Sequence, residues 1–198
     1  MLFEKNTKYS VMLMIILLYP LVLEAGFILD VWLKDVPPYA VEFTRIVLIE
    51  SLFAVFSYSM AAVIGATGRL LGMEVYGRFI TLAVLPVAYI VLESGGAPVW
   101  ALLISLFAQI VYVVYLFTDL RKKIALDVRG YCSRVLRPLA LLVVSLALTT
   151  IPEFIFIADG VARFFIVGFT VVLVGGVVIW YGCMDTNEKE FVVKLLRK

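Results

Sequence analysis

Six long apolar runs constrain this chain more than any other feature of its sequence. They cover residues 9–33, 44–64, 79–92, 99–117, 139–158 and 164–181, and only the third is short unless it extends to 75–94. An α-helix needs about 20 residues to cross the hydrocarbon core of a bilayer. The runs are continuous rather than alternating, which favours helices, because a helix pairs its backbone groups within one segment. The sequence therefore predicts an all-α integral membrane protein with about six transmembrane helices.

The composition supports the same class. Of 198 residues, 64% are hydrophobic and only 16% are charged, and the mean hydropathy is +1.07. A soluble domain is about one quarter charged. This chain has too little polar surface to cover a water-soluble globule of its size, and its net charge of +2 gives no reason to expect nucleic acid as a partner.

The basic residues predict an orientation. If successive runs cross in opposite directions, 14 of the 17 Lys and Arg residues lie on one side. The other side carries Lys34, Arg45 and Arg163. Cytoplasmic loops of membrane proteins are enriched in Lys and Arg. We therefore expect six crossings with both termini in the cytoplasm.

Four regions follow from this topology. Residues 1–120 would form a four-helix unit, and residues 138–182 would form a C-terminal transmembrane pair. Residues 121–137 and 183–198 are predicted to be a cytoplasmic amphipathic linker and tail, because their apolar residues recur at helical spacing: Ile124, Val128, Tyr131 and Val135 in the first, and Phe191, Val192, Leu195 and Leu196 in the second. Such segments lie in the membrane interface, and we interpret them as anchors rather than lipid sensors.

A glycine-rich stretch, "ATGRLLGMEVYGR" at residues 66–78, interrupts the apolar pattern. Glycine tolerates the backbone angles of tight helix exits. The stretch is predicted to be a short cytoplasmic loop, in which Arg69 and Arg78 hold the cytoplasmic side.

The residue types argue against most catalytic chemistry. The chain has no histidine, which removes most zinc sites and histidine-based triads. Cys132 and Cys183 have no metal-ligand spacing, and no nucleophile or nucleotide motif occurs. We predict no catalytic residues, no metal and no cofactor, and we do not expect an enzyme.

Polar residues inside the runs are the candidate functional residues, since polar groups are costly in hydrocarbon. They are Glu24, Arg45, Glu50, Ser57, Gln109 and Tyr112. By helical spacing, Glu50 and Ser57 share one face of the second run, and Ser105, Gln109 and Tyr112 share one face of the fourth. For Ser57 and Gln109 we favour hydrogen bonds between helices. Glu24 follows Pro20, which weakens the helix one turn earlier. Three states stay open for Glu24 and Glu50: protonated, paired with Arg45, or facing water.

Several stretches together resemble a known family. They are "WLKDVPPYA" at 32–40, "GATGR" at 65–69, a mid-helix Pro86, and "GGAPVWALLIS" at 95–105. In this order they resemble the C-terminal lobe of bacterial polysaccharide flippases. These flippases export lipid-linked O-antigen and capsule repeat units, and they belong with the MATE transporters to the multidrug/oligosaccharidyl-lipid/polysaccharide exporter superfamily. The resemblance covers about residues 9–120, and the last two runs fit the extra C-terminal pair of longer members.

The resemblance implies a function and a setting. The chain would be part of an exporter of lipid-linked oligosaccharides in the cytoplasmic (inner) membrane of a bacterium, with the lipid bilayer, that substrate and a missing N-terminal lobe as partners. Family members have two lobes that rock about a central cavity. Because only part of one lobe is matched, we expect a truncated or split transporter that has little activity alone.

The resemblance also assigns roles to the candidate residues. Glu24, Glu50 and Gln109 would line or adjoin the cavity, and Glu24 or Glu50 would titrate to couple transport to an ion gradient. Arg69 and Arg78 would meet headgroups at the cytoplasmic mouth, or the pyrophosphate of an arriving substrate, and we favour headgroups. The alternative function is a structural or accessory six-helix envelope protein. A third, less favoured hypothesis is a small membrane-embedded transferase.

Overall fold

The computed structural model describes residues 2–68, 71–124, 126–156, 160–184 and 188–190. Throughout these ranges the regular elements are helices, with no strand. They are α1 (Leu2–Leu23), α2 (Ala25–Trp32), α3 (Ala40–Ala66), α4 (Leu71–Glu93), α5 (Val99–Ile124), α6 (Val128–Tyr131), α7 (Arg137–Phe156) and α8 (Val161–Val178). A π-helical turn, Cys132–Leu136, joins α6 to α7, and another, Ile179–Cys183, ends α8.

Six helical segments are long and apolar enough to cross a membrane. They are Phe3–Leu23, Ala40–Ala66, Leu71–Glu93, Val99–Ile124, Val128–Pro152 and Val161–Cys183. The prediction of an all-α protein with six potential transmembrane helices is therefore confirmed, and these helices indicate a multi-pass membrane protein.

Helix α1 connects the two parts of the bundle. On one side it packs against α3, which packs on α5, which in turn packs on α4; on the other side it contacts α7 and α8, which pack on each other. The buried core follows this order, with Met12 on α1, Ile64 on α3, Leu116 on α5 and Leu142 on α7. Residues far apart in sequence thus share one apolar centre.

The first apolar run is divided into two helices at Glu24. Across this junction the Glu24 N–H donates to the Pro20 carbonyl at 3.0 Å, and the Ile28 N–H donates to the Glu24 carbonyl at 2.9 Å. Glu24 has φ −94° and ψ 17°, outside helical values. Pro20 lies within α1 and cannot donate a backbone hydrogen bond. The expected weakening of the helix near the carboxylate is present as a one-residue interruption between α1 and α2, across which these two helical hydrogen bonds continue.

Helix α4 begins at Leu71, inside the stretch expected to be a loop. Arg78 therefore lies about two turns into a helix rather than in a connection. Glycine suits position 77 because a Cβ there would stand only 3.1 Å from the Tyr112 ring of α5, whereas a Cβ at Gly72 would stand 3.4 Å from the Tyr115 hydroxyl. The glycines that suggested a loop instead allow α4 to approach α5 closely.

Two glycines do serve as helix exits. Gly68, just after α3, has φ +73°, and Gly95, just after α4, has φ +89°. Both lie in the left-handed region, where a side chain is strained and glycine is not. The expectation of a glycine helix exit in the 66–78 stretch is confirmed at Gly68, and Gly95 serves the same role after α4.

The described residues within 121–137 belong largely to the ends of two long helical segments. Helix α5 continues to Ile124, and the next transmembrane segment already begins at Val128. Tyr131 and Val135 are buried in the core, with the Tyr131 ring 5.4 Å from that of Phe117. Two residues of the predicted apolar stripe thus pack in the bundle, whereas a third, Ile124, is 39% exposed. Much of the predicted amphipathic tail lies outside the described residues, namely residues 185–187 and 191–198. The second of these ranges carries the apolar stripe of the tail.

Candidate functional site

A cleft of about 1240 Å³ lies between α3 and α4, each of which packs against α5. On α3 its lining extends from Val47 to Ala61, a length of about 21 Å at the rise of an α-helix. It thus runs along most of a helix that is long enough to cross the bilayer. Its polar lining residues are Glu50, Ser51, Ser57, Tyr58, Glu74, Arg78, Thr81, Ser105, Gln109 and Tyr112.

Helical periodicity places the polar groups of this cleft. On α3, Glu50, Ala54, Ser57 and Ala61 recur every three or four residues, and all four line the cleft. Positions with this spacing share one face of a helix. Small residues between the polar ones leave room for the cleft.

Two hydrogen bonds connect the polar walls of α3 and α5. The Ser105 hydroxyl donates to Glu50 Oε1 at 2.9 Å, and the Gln109 amide donates to the Ser57 hydroxyl oxygen at 3.0 Å. Ser57 in turn donates to the Phe53 carbonyl at 3.2 Å. These bonds form a polar row at membrane depth, where unsatisfied polar groups are expensive.

One end of the cleft carries charges of both signs. Arg78 Nε lies 3.7 Å from Glu74 Oε2 one turn earlier on α4, and the Arg78 side chain is 87% exposed. A surface pair of this kind is held weakly. The Arg78 guanidinium is therefore available to an anion entering at this end, while Tyr112 offers a hydroxyl beside it.

The remaining edge of the cleft is apolar and exposed. The exposed fractions are 73% for Tyr58, 65% for Leu82 and 68% for Leu85. Helix α4 as a whole is covered little, with Met73 as its buried residue. In a bilayer these side chains contact lipid or another protein, so the cleft joins a polar wall to a surface compatible with acyl chains.

Glu24 lies away from this cleft and is paired. Arg163, in the first turn of α8, donates from Nε to Glu24 Oε1 at 2.8 Å and from Nη2 to Oε2 at 2.9 Å. Both side chains are buried, with Glu24 only 1% exposed. Of the three states left open by the sequence, pairing is observed, but the partner is Arg163 rather than Arg45.

Arg45 binds backbone carbonyls instead of a carboxylate. Its guanidinium donates to the Val22 carbonyl at 3.1 Å and to the Leu23 carbonyl at 3.4 Å. These carbonyls lie in the last turn of α1, next to the break at Glu24. The last carbonyls of a helix have no intrahelical donors. The break thus explains why an arginine at this depth has hydrogen-bond partners.

The candidate residues fall into two groups. Glu50, Ser57, Gln109, Tyr112 and Arg78 line one cleft, whereas Glu24 and Arg45 stabilise the α1–α2 junction. Arg69 lies outside the described residues. Whether the cleft residues act in transport stays a prediction.

Two relevant residues were not selected from the sequence. Glu74 stands four residues before Arg78, so periodicity could have found it. Arg163 had no such signal, because its partner is 139 residues away.

Comparisons with family models, curated proteins and solved structures give no match for this chain.

Proposed function

We propose that this chain is part of a carrier that moves lipid-linked oligosaccharide repeat units across the cytoplasmic membrane of a bacterium for polysaccharide biosynthesis. The observation that carries the proposal is the cleft between α3 and α4, in which a row of polar side chains runs along a membrane-spanning helix. The ordered sequence resemblance to polysaccharide flippases supports the same substrate class.

The chemistry of the cleft suits a substrate with two unlike parts. Carboxylate, amide and hydroxyl groups from Glu50, Gln109 and Tyr112 offer donors and acceptors for sugar hydroxyls. Arg78 offers a guanidinium for the phosphate groups of the carrier lipid. The exposed apolar edge at Tyr58 and Leu85 would leave the lipid tail in the bilayer.

The mechanism we propose is alternating exposure of the cleft to the two sides. A second helical bundle facing the exposed side of α4 would complete a polar cavity, and rocking of the two bundles would open it to one side at a time. We place the termini and the Arg78 end of the cleft in the cytoplasm, from the distribution of Lys and Arg. Alone, the chain offers one wall of that cavity.

The test is export in living cells whose own repeat-unit exporter is deleted. The chain is expressed alone and together with an N-terminal lobe, and surface polysaccharide is measured per membrane-inserted chain. We expect export only with the second lobe. Glu50→Gln and Gln109→Leu should each lower export by about tenfold or more, as the loss of a buried charge-assisted or polar contact to substrate implies.

The control for this test is Glu42→Gln. Glu42 is an exposed glutamate in the first turn of the same helix and does not line the cleft. Its replacement should leave export near the wild-type level. Wild-type export by both cleft variants, at equal membrane abundance, would contradict the carrier proposal.

One observation favours the alternative of a structural or accessory membrane protein. The polar groups of the cleft already bond to one another, as Ser105 does to Glu50 and Gln109 to Ser57. Such bonds also hold membrane helices together without any substrate. If this is their whole role, the cleft variants should lower thermal stability in detergent while export per folded chain stays unchanged.

A further inference from the structure

A second cleft, of about 770 Å³, lies where the first turns of α1 meet the start of α7 and the end of α8. It is separate from the α3–α4 cleft and shares no lining residue with it. Its charged lining residues are Glu4, Lys5, Lys8, Arg134, Arg137 and Glu188. Four cations face two carboxylates, which leaves an excess of two positive charges.

Internal pairing uses part of this positive charge. Arg134 forms two hydrogen bonds with Glu4, at 3.0 and 2.9 Å, and Lys8 donates to Glu188 at 3.2 Å and to the Cys183 carbonyl at 3.0 Å. These pairs fix the walls of the cleft. The Lys8–Glu188 bond also holds residue 188 against α1, although the two residues are 180 positions apart in the sequence.

Three of the four cations have exposed side chains, and two of these, Arg137 and Lys5, are not held in a bidentate pair. Arg137 is exposed and forms no ion pair within the described part of the chain. Lys5 reaches Glu188 Oε1 at 3.1 Å, yet its side chain is still 50% exposed. An anion placed between Arg137 and Lys5 would meet a guanidinium and an ammonium group without displacing a buried pair.

The backbone around this cleft is irregular on two sides. Both π-helical turns, Cys132–Leu136 and Ile179–Cys183, contribute lining residues. Such turns are rare and frequently occur at functional sites. At Gly182 a Cβ would lie 2.9 Å from Leu141 Cδ2, so glycine is what allows the second turn to approach α7.

An apolar strip continues from the charged rim along α7. Ala140, Leu141 and Val144 line the cleft, and Leu141 and Val144 are 46% and 55% exposed. They belong to the transmembrane segment Val128–Pro152, so they face hydrocarbon when the protein is in a membrane. A small soluble anion would use the rim and leave this strip uncovered.

We infer that this cleft binds an anionic phospholipid, with its headgroup phosphate between Arg137 and Lys5 and one acyl chain along Leu141 and Val144. Basic pockets between transmembrane helices on the cytoplasmic side are suited to anionic headgroups. The charge distribution assigns this end of the bundle to the cytoplasm, where anionic lipid would meet it. The inference does not depend on what the α3–α4 cleft transports.

The test measures lipid binding to the purified full chain in neutral detergent by native mass spectrometry. Phosphatidylglycerol is titrated against phosphatidylcholine, and glycerol 3-phosphate provides the headgroup without chains. We expect retention of phosphatidylglycerol and much weaker binding of the other two. Arg137→Gln should weaken phosphatidylglycerol binding about fivefold, and Lys5→Gln with Arg137→Gln about 25-fold, because each cation near anionic lipid contributes about that factor.

The matched control is the double variant Arg121→Gln/Lys122→Gln. These cations are exposed in the last turn of α5, at the same end of the bundle, but do not line the cleft. Their loss should leave the affinity unchanged. An equal loss of affinity in this control, equal binding of phosphatidylcholine, or equally tight binding of glycerol 3-phosphate would each overturn the inference. Unchanged melting temperatures of the lipid-free variants verify folding.

Discussion

At the scale of single residues, three acidic groups within the long helices have partners from distant parts of the chain. Glu24 binds Arg163, Glu4 binds Arg134, and Glu50 accepts a hydrogen bond from Ser105. A lone charge in hydrocarbon costs several kcal/mol, whereas a bidentate pair satisfies both groups. Glu24 therefore acts as a structural residue in this conformation, and Glu50 is the stronger candidate for a carboxylate that meets substrate or an ion.

The Glu24–Arg163 pair predicts a specific pattern of stabilities. Glu24→Met alone and Arg163→Met alone should each lower the free energy of unfolding by about 3–5 kcal/mol, because each leaves an uncompensated buried charge. The double Met variant should regain most of this loss, since two apolar side chains of similar volume fill the site. Thermal or denaturant unfolding in detergent measures all three variants.

Glu42→Met, at an exposed position on α3, serves as the control and should change stability by at most about 0.5 kcal/mol. If the effects of the two single Met variants add in the double variant, the residues are not coupled, and the pairing is not what stabilises the α1–α8 contact.

At the scale of helices, small residues decide how closely the spans approach. Gly77 allows α4 to approach Tyr112 of α5, and Gly175 on α8 lies against Ile16 of α1. Helices in a membrane gain little from the hydrophobic effect, so close van der Waals packing contributes much of their association. Gly77 and Gly175 therefore mark contact faces, whereas Gly68 and Gly95 mark helix ends.

Gly175 and its neighbour Gly176 form a matched pair for testing this packing. A Cβ at Gly175 would lie 2.9 Å from Ile16 Cγ1, whereas a Cβ at Gly176 meets nothing within 4 Å. Gly175→Leu should destabilise the protein by about 1–3 kcal/mol through overpacking. Gly176→Leu should be neutral or slightly stabilising, because leucine is the better helix former. Melting temperatures in detergent separate the two, and equal values would refute the contact.

The helices also show how far sequence reasoning reaches. Hydropathy located all six spans. The reason is that each span must be apolar along its own length and must pair its own backbone groups in lipid, and both are local properties of a run. Their ends were less accessible: α4 begins at Leu71 and α5 continues to Ile124, both beyond the apolar runs. Where a helix continues into polar residues, hydropathy does not show its end. Gly72 and Gly77 likewise suggest a loop until their neighbours on α5 are known.

At the scale of the whole molecule, the bundle carries two clefts of unlike character. The α3–α4 cleft runs along the membrane depth with a polar wall, and the second cleft gathers basic side chains at one end. Near the second cleft Arg134 binds Glu4, Lys8 binds the Cys183 carbonyl, and Tyr131 packs against Phe117, so several of the segments predicted to be cytoplasmic lie close together. Their assignment to the cytoplasm is a proposal that can be tested directly.

The native cysteines provide the topology test. Cys132 is exposed near the basic end, whereas Cys183 is buried. A membrane-impermeant maleimide should label Cys132 in inverted membrane vesicles but not in intact spheroplasts, and should leave Cys183 unlabelled in both until the protein is denatured. Lys34→Cys, between α2 and α3, should show the opposite sidedness. Labelling of Cys132 in spheroplasts would reverse the proposed orientation and place the basic cleft outside the cell.

The sequence by itself determined the number of spans and which residues share a helix face, because hydropathy and the 3.6-residue period are properties of a single segment. It therefore placed Glu50 with Ser57, and Gln109 with Tyr112, before any contact was known. Only the tertiary structure decided which faces meet: that these two rows form one cleft, that Arg163 rather than Arg45 binds Glu24, and that Tyr131 packs in the core. Such pairings depend on the order and rotation of helices around α1, and no local pattern specifies that arrangement.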